Sequence, residues 1–147
     1  MTLINRTKNS IRTILAGAVL MAIPVLAVAV HAADCVATFT LPYEVHWNKT
    51  VLPAGEYTMK FKSAGGTAFI RSTHGTRSYV ITLPTVDQSN EENAGLQVTS
   101  AAGQHMVRAM NLPQLGVRIV FNPIPKSERE ELAKAGQIES LPVTAQK

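Results

Sequence analysis

Glu56-Tyr57-Thr58-Met59-Lys60-Phe61-Lys62 decides the fold class. Tyr57, Met59 and Phe61 fall on one side of an extended chain, and Glu56, Thr58, Lys60 and Lys62 on the other. Strict period-two alternation with this contrast marks a strand with one face on a core and one in water. Pro53-Ala54-Gly55 precedes the strand and Ala64-Gly65-Gly66 follows it, both with the composition of turns.

The same pattern extends outward in both directions. Towards the N-terminus, Cys35 to Leu41 alternates, with Ala37, Phe39 and Leu41 on the apolar face, and Pro42 ends it. Tyr43 to His46 and Thr50 to Leu52 are short segments around an Asn48-Lys49 turn. Towards the C-terminus, Thr67 to Thr73 and Arg77 to Leu83 form a hairpin across His74-Gly75-Thr76. Ile70 or Phe69, Tyr79 with Ile81, and Ile119 are expected to meet Tyr57, Met59 and Phe61 in the core. Asp87 to Asn93 is polar and acidic and reads as an exposed loop. Gly95 to Ser100 and Gln104 to Ala109 make a second hairpin across Ala102-Gly103, and Val117 to Phe121 is a final, mostly apolar strand. Short strands at near-regular spacing predict an all-β domain. The expected architecture is an antiparallel β-sandwich or small barrel of about 7–9 short strands, with one short C-terminal helix.

That helix is expected over residues 126–136. Ser127 can cap it, Ser127 and Glu130 have capping-box spacing, Glu128, Glu130 and Glu131 suit its positive end, and Gly136 stops it. Leu132 is its one large apolar residue, so it docks weakly. Residues 137–147 read as a flexible tail.

The first 32 residues are of another kind. Arg6, Lys8 and Arg12 precede a continuous apolar or small stretch from Ile14 to Val30, and Val30-His31-Ala32 places small residues at −3 and −1 of a cut after Ala32. This is the layout of a secretory signal peptide, which leaves a β domain over 33–125 and implies a secreted or periplasmic protein. A retained anchor is disfavoured by the shortness of the run, by Pro24 within it and by the lack of a basic stop-transfer cluster, so no membrane span is expected after signal removal. A lipoprotein is disfavoured by Asp34 before Cys35. A membrane barrel would need longer strands and aromatic girdles.

Charge follows from processing. Three of the 14 Lys and Arg residues, and none of the 10 Asp and Glu residues, lie in the signal, which leaves 11 against 10. The mature chain is nearly neutral, without the basic patches that nucleic acid requires. Cys35 is the sole cysteine. It therefore either stays as a buried or free thiol or forms an intermolecular disulfide, which would make a homodimer.

Three segments together resemble a family of small exported bacterial β-rich proteins: Asn48 to Tyr57, the hairpin that follows, and Pro125 to Ala133. Its members share a K-T-L-P-A-G-x-Y turn and a P-K-S-x-x-E-x-L-A helix start. This chain departs in an extra residue, Val51, and in a long polar stretch, Gln88 to Asn93. The resemblance implies a shared β fold and no activity, and no functional residue carries over.

Candidate chemistry is sparse. His46, His74 and His105 could supply a zinc site, although no two have the tight spacing of a local ligand pair. No G-x-S-x-G is present. Asp34 and Asp87 are the only aspartates after the signal, and Glu91-Glu92 and Glu130-Glu131 are neighbours on solvated faces. Tyr43 and Trp47 flank His46 and could contact a carbohydrate or peptide, but single aromatics near strand ends more commonly pack a core. Asn48-Lys49-Thr50 is a glycosylation sequon only in a eukaryotic secretory route. No catalytic residue and no cofactor is implied. The expected function is a non-enzymatic binding or structural role with an envelope or extracellular partner. The alternative is a small metal-binding protein or metal-dependent enzyme using the three histidines.

Overall fold

The computed structural model describes residues 33–147, so the expected signal peptide lies outside the described residues. Twelve strands form two sheets. The first sheet has the order β12-β1-β4-β5-β6, from Val143–Gln146, Asp34–Leu41, Gly55–Lys62, Gly66–Ser72 and Ser78–Leu83. The second has the order β11-β8-β9-β10-β7, from Ile138–Leu141, Gly95–Ala101, Gln104–Leu112, Val117–Val120 and Thr85–Gln88. A small hairpin, β2 (Val45–Trp47) and β3 (Thr50–Leu52), joins the second sheet beside β9. The sheets keep free edges and no barrel closes among the described residues. This is a β-sandwich.

All pairings are antiparallel except the single β2–β9 contact. The chain passes between sheets at Pro84, between β6 and β7, and at Pro142, between β11 and β12. Proline suits such corners because it has no N–H to leave unpaired.

The alternation of β4 has the expected consequence. Tyr57, Met59 and Phe61 are buried while Glu56, Lys60 and Lys62 are exposed. Cys35, Ala37, Phe39 and Leu41 face the same layer from β1, and Ile70, Ile81 and Ile119 meet it. Phe69 points the other way and Tyr79 is only half-buried. Trp47 and its partners Phe39 and Phe121 tie the β2–β3 hairpin into this core.

The turn before β4 shows why its residues go together. Gly55 adopts φ 154°, which disfavours a side chain, and the Tyr57 hydroxyl donates to the Pro53 carbonyl at 2.8 Å. The L-P-A-G-x-Y motif is thus a buckle: Leu52 enters the core, Gly55 permits the bend and Tyr57 ties it.

Four expectations need correction. Among the described residues there are twelve strands rather than 7–9, because β7, β11 and β12 are additional. The stretch read as a loop from Asp87 is a strand as far as Gln88, paired to β10. Residues 137–147 are not a loose tail: β11 pairs β8 and β12 pairs β1, with Leu141 and Val143 buried between the sheets. The helix α1 spans Lys126–Lys134, preceded by Pro125 with no side-chain cap, so Ser127 lies within the first turn rather than capping it. Leu132 docks α1 as expected, with Ile124, outside the main core.

Candidate functional site

The outer face of the second sheet carries a cluster of polar and cationic side chains, and an irregularity in β9 builds it. Val98 pairs with Val107 but Gln97 pairs with Ala109, so Arg108 is the extra residue of a β-bulge. Bulges re-aim a side chain and bend the strand. The Arg108 carbonyl accepts two bonds, from the N–H groups of Phe121 and Asn122 at 2.9 and 3.0 Å, which locks the bulge against the end of β10. Its side chain is 14% exposed. Nε donates to Oγ1 of the buried Thr99 at 2.8 Å, and Nη2 lies 3.8 Å from Glu128 of α1.

Arg118 of β10 and Arg129 of α1 converge with Arg108 on one cavity of about 340 Å³, together with the single carboxylate Asp87 and with Gln88, Asn90, Gln97 and Asn122. A smaller cavity of about 160 Å³ adjoins it and shares Gln97, Ala109 and Arg118, so the two make one groove across the sheet. The size falls in the range of roughly 300–1,000 Å³ seen for ligand sites. One wall is the polar stretch noted in the sequence. Asn111, itself buried, accepts from the Ser89 hydroxyl and donates to the Asn93 carbonyl, and Arg118 pairs with Glu91. These contacts pin residues 89–93 to the sheet.

The charge arrangement favours exchange. Glu91 and Glu128 are each about half-exposed, at 52% and 48%, and Arg129 has no ion pair among the described residues. Glu128 is held only by a long contact of 3.8 Å and pairs at the surface are worth about 0–1 kcal/mol, so an incoming carboxylate can replace it at small cost. Other cavities, of about 450 and 490 Å³, lie on the outer face of the first sheet. Threonines dominate the first and the apolar surface of Val36 and Phe69 the second, and neither gathers three cations.

The side chains singled out from sequence lie elsewhere. Trp47 is fully buried and serves the core. His74, in an exposed turn, has Nε2 2.7 Å from a Glu56 carboxylate oxygen. His46 lies on β2 opposite Met106, and His105 hydrogen-bonds Ser100 across the β8–β9 hairpin at 2.8 Å. No group of three or more His, Cys, Asp or Glu side chains among the described residues is placed to hold a metal ion. Cys35 is fully buried and its thiol donates to the Ala33 carbonyl at 3.6 Å. Burial pushes the thiol pKa up, and the enclosed sulfur stands against the intermolecular disulfide that its position suggested.

Tyr43 is half-buried, stacks on the His105 ring at 3.7 Å and donates its hydroxyl to Glu139 of β11. Burial first, then the hydrogen bond and charge of Glu139, push its pKa up to about 12. The unfolded value is about 10. The folded chain therefore holds the proton more tightly than the unfolded chain. The stability this supplies is full below about pH 10 and is lost as pH rises through the folded value. Burial pushes the Tyr57 hydroxyl up as well, so absorbance titration should show late tyrosine ionisation that Tyr43→Phe reduces, and Tyr43→Phe should lessen the alkaline fall in stability. An unchanged alkaline limb in Tyr43→Phe would contradict the assignment.

No family model, no curated protein and no solved structure matches this chain. The resemblance to small exported β-rich proteins thus rests on the turn and helix motifs of this chain.

Proposed function

We propose that this is an exported, non-enzymatic binding domain of the secreted or periplasmic compartment. Its ligand site is the groove of Arg108, Arg118 and Arg129, and it takes an acidic, hydroxyl-rich ligand of the saccharide class. The observation that carries this reading is the bulge that aims Arg108, anchored by Thr99, into a cavity where two further guanidiniums converge. Guanidinium forks match carboxylates in two-point contacts. Planar amides such as Gln88, Asn90, Gln97 and Asn122 can each donate to and accept from hydroxyls.

The test is calorimetric titration with an oligogalacturonate and a neutral oligosaccharide of equal length. A hydrogen bond to a charged group contributes about 1.5–3 kcal/mol. Removing the Arg129 charge by Arg129→Gln should therefore weaken oligogalacturonate binding at least about tenfold. Arg129 lies on an exposed helix position, so folding should not change. Equal binding by the variant, or no binding by the native chain, would reject the reading.

Export is supported by the signal-like N-terminus. The exported protein is expected to begin at Ala33 or Asp34, as intact mass would show, and an exported form retaining Met1 would contradict it.

A further inference from the structure

We infer that this protein self-associates through β6, by antiparallel pairing with β6 of a second copy about a two-fold axis at Val80. β6 is an edge of the first sheet, six residues long, and Ser78-Tyr79-Val80-Ile81-Thr82-Leu83 contains no charge. Natural edges are blunted by shortness, charge, proline or a covering element. The other ends of the two sheets have such protection. β7 and β11 are four residues each and carry Asp87 and Glu139, while β12, also four residues, lies against the turn Pro113–Leu115. The edge β6 has none, and it presents outward Val80, 60% exposed, directly opposite Phe69, 58% exposed, on β5.

Hydrogen bonding fixes the register. Ser72 N–H donates to the Arg77 carbonyl, so Ser72 and Arg77 are a hydrogen-bonded pair. Bonded and non-bonded pairs alternate along an antiparallel ladder. From that pair, with the observed register, Tyr79, Ile81 and Leu83 direct their backbone groups to β5. Ser78, Val80 and Thr82 direct theirs outward, unpaired. An axis at Val80 sets Val80 against its copy and Ser78 against Thr82, and all three outward residues exchange both N–H and C=O. An axis at Ile81 would set Ser78 against Pro84, which has no N–H. The chosen register also keeps the faces matched, with Tyr79 against Ile81 on the inner side. It places the two Arg77 side chains at opposite ends of the new ribbon, away from each other.

The expected strength follows from size. Six residues extend about 20 Å. An edge of that length falls short of the roughly 1,600 Å² of a standard stable interface, so the dimer is reversible and grows with concentration. Sedimentation of the full chain should show mass rising from monomer towards dimer across the micromolar to millimolar range. Val80→Lys, which sets like charges face to face, should hold the chain monomeric over the same range. Val51→Lys, at the exposed hairpin strand β3, should not.

Crosslinking tests the axis. The pairing brings the two Val80 Cα atoms to about 5.5 Å, within the disulfide range of about 4.4–6.8 Å. Val80→Cys should form a disulfide dimer on mild oxidation. Ser78→Cys should not, because its copy lies two register steps beyond the axis on each side. A chain that stays monomeric throughout, a dimer that persists in Val80→Lys, or equal crosslinking by Ser78→Cys would overturn the inference.

Discussion

Trp47→Ala is expected to remove about 3–5 kcal/mol of folding stability. Trp47 is fully buried and is the largest such side chain. Its ring lies 5.5 Å from that of Phe39 in the first sheet, tilted 46°, and 5.0 Å from that of Phe121, nearly perpendicular at 78°. Aromatic pairs in these orientations add about 0.5–1.5 kcal/mol beyond area burial. The ring also holds an otherwise weakly attached hairpin, since β2 meets β9 at the single pair His46–Met106. Alanine would leave a cavity between the sheets and free the hairpin. That is a large part of the roughly 5–15 kcal/mol a domain possesses. Denaturant unfolding measures it, and a loss under about 1 kcal/mol would place the ring outside the load between the sheets.

Phe61→Ala should cost a similar amount, about 3–5 kcal/mol. Phe61 is 3% exposed and pairs across β1 with the buried Cys35. No disulfide is available to compensate, because Cys35 is the sole cysteine. Lys60, the preceding residue, faces out between Val36 and Phe69. Lys60→Ala should stay within about 0.5 kcal/mol, as exposed substitutions usually do. Comparable losses from the two neighbours would mean that the faces of β4 are assigned the wrong way.

The sequence exposed the inner faces of the long strands because their alternation is set by burial alone. Glu56 to Lys62 and Cys35 to Leu41 needed no partner to be read. Thr85–Gln88, Ile138–Leu141 and Val143–Gln146 are different. Each is four residues long, at the edge of a sheet, and beside Pro84 or Pro142. They are strands because a neighbour offers a ladder, which no local pattern records. Phe69 and Ile70 were both apolar, so only the register with Lys60 and Met59 decided which entered the core.

The groove was illegible for a related reason. Arg108, Arg118 and Arg129 come from β9, β10 and α1, and a bulge at Arg108 exists only as a register shift against β8. One signal was present: the polar stretch Gln88 to Asn93, long for the resemblance, forms a wall of the site. The histidines, by contrast, drew attention through their side-chain chemistry, and the fold sets His74 beside Glu56 in a turn, His105 in a cross-strand hydrogen bond and His46 on the β2 hairpin.

The groove on the outer face of the second sheet is the proposed ligand surface. Backbone amide shift mapping by NMR, on the native chain titrated with an oligogalacturonate, tests it most directly. The account predicts saturable shifts concentrated at Arg108, Arg118, Arg129 and the pinned stretch 88–93, with the first-sheet residues Val36, Lys60 and Phe69 unmoved. Shifts confined to the first sheet, or none at saturating oligomer, would contradict it.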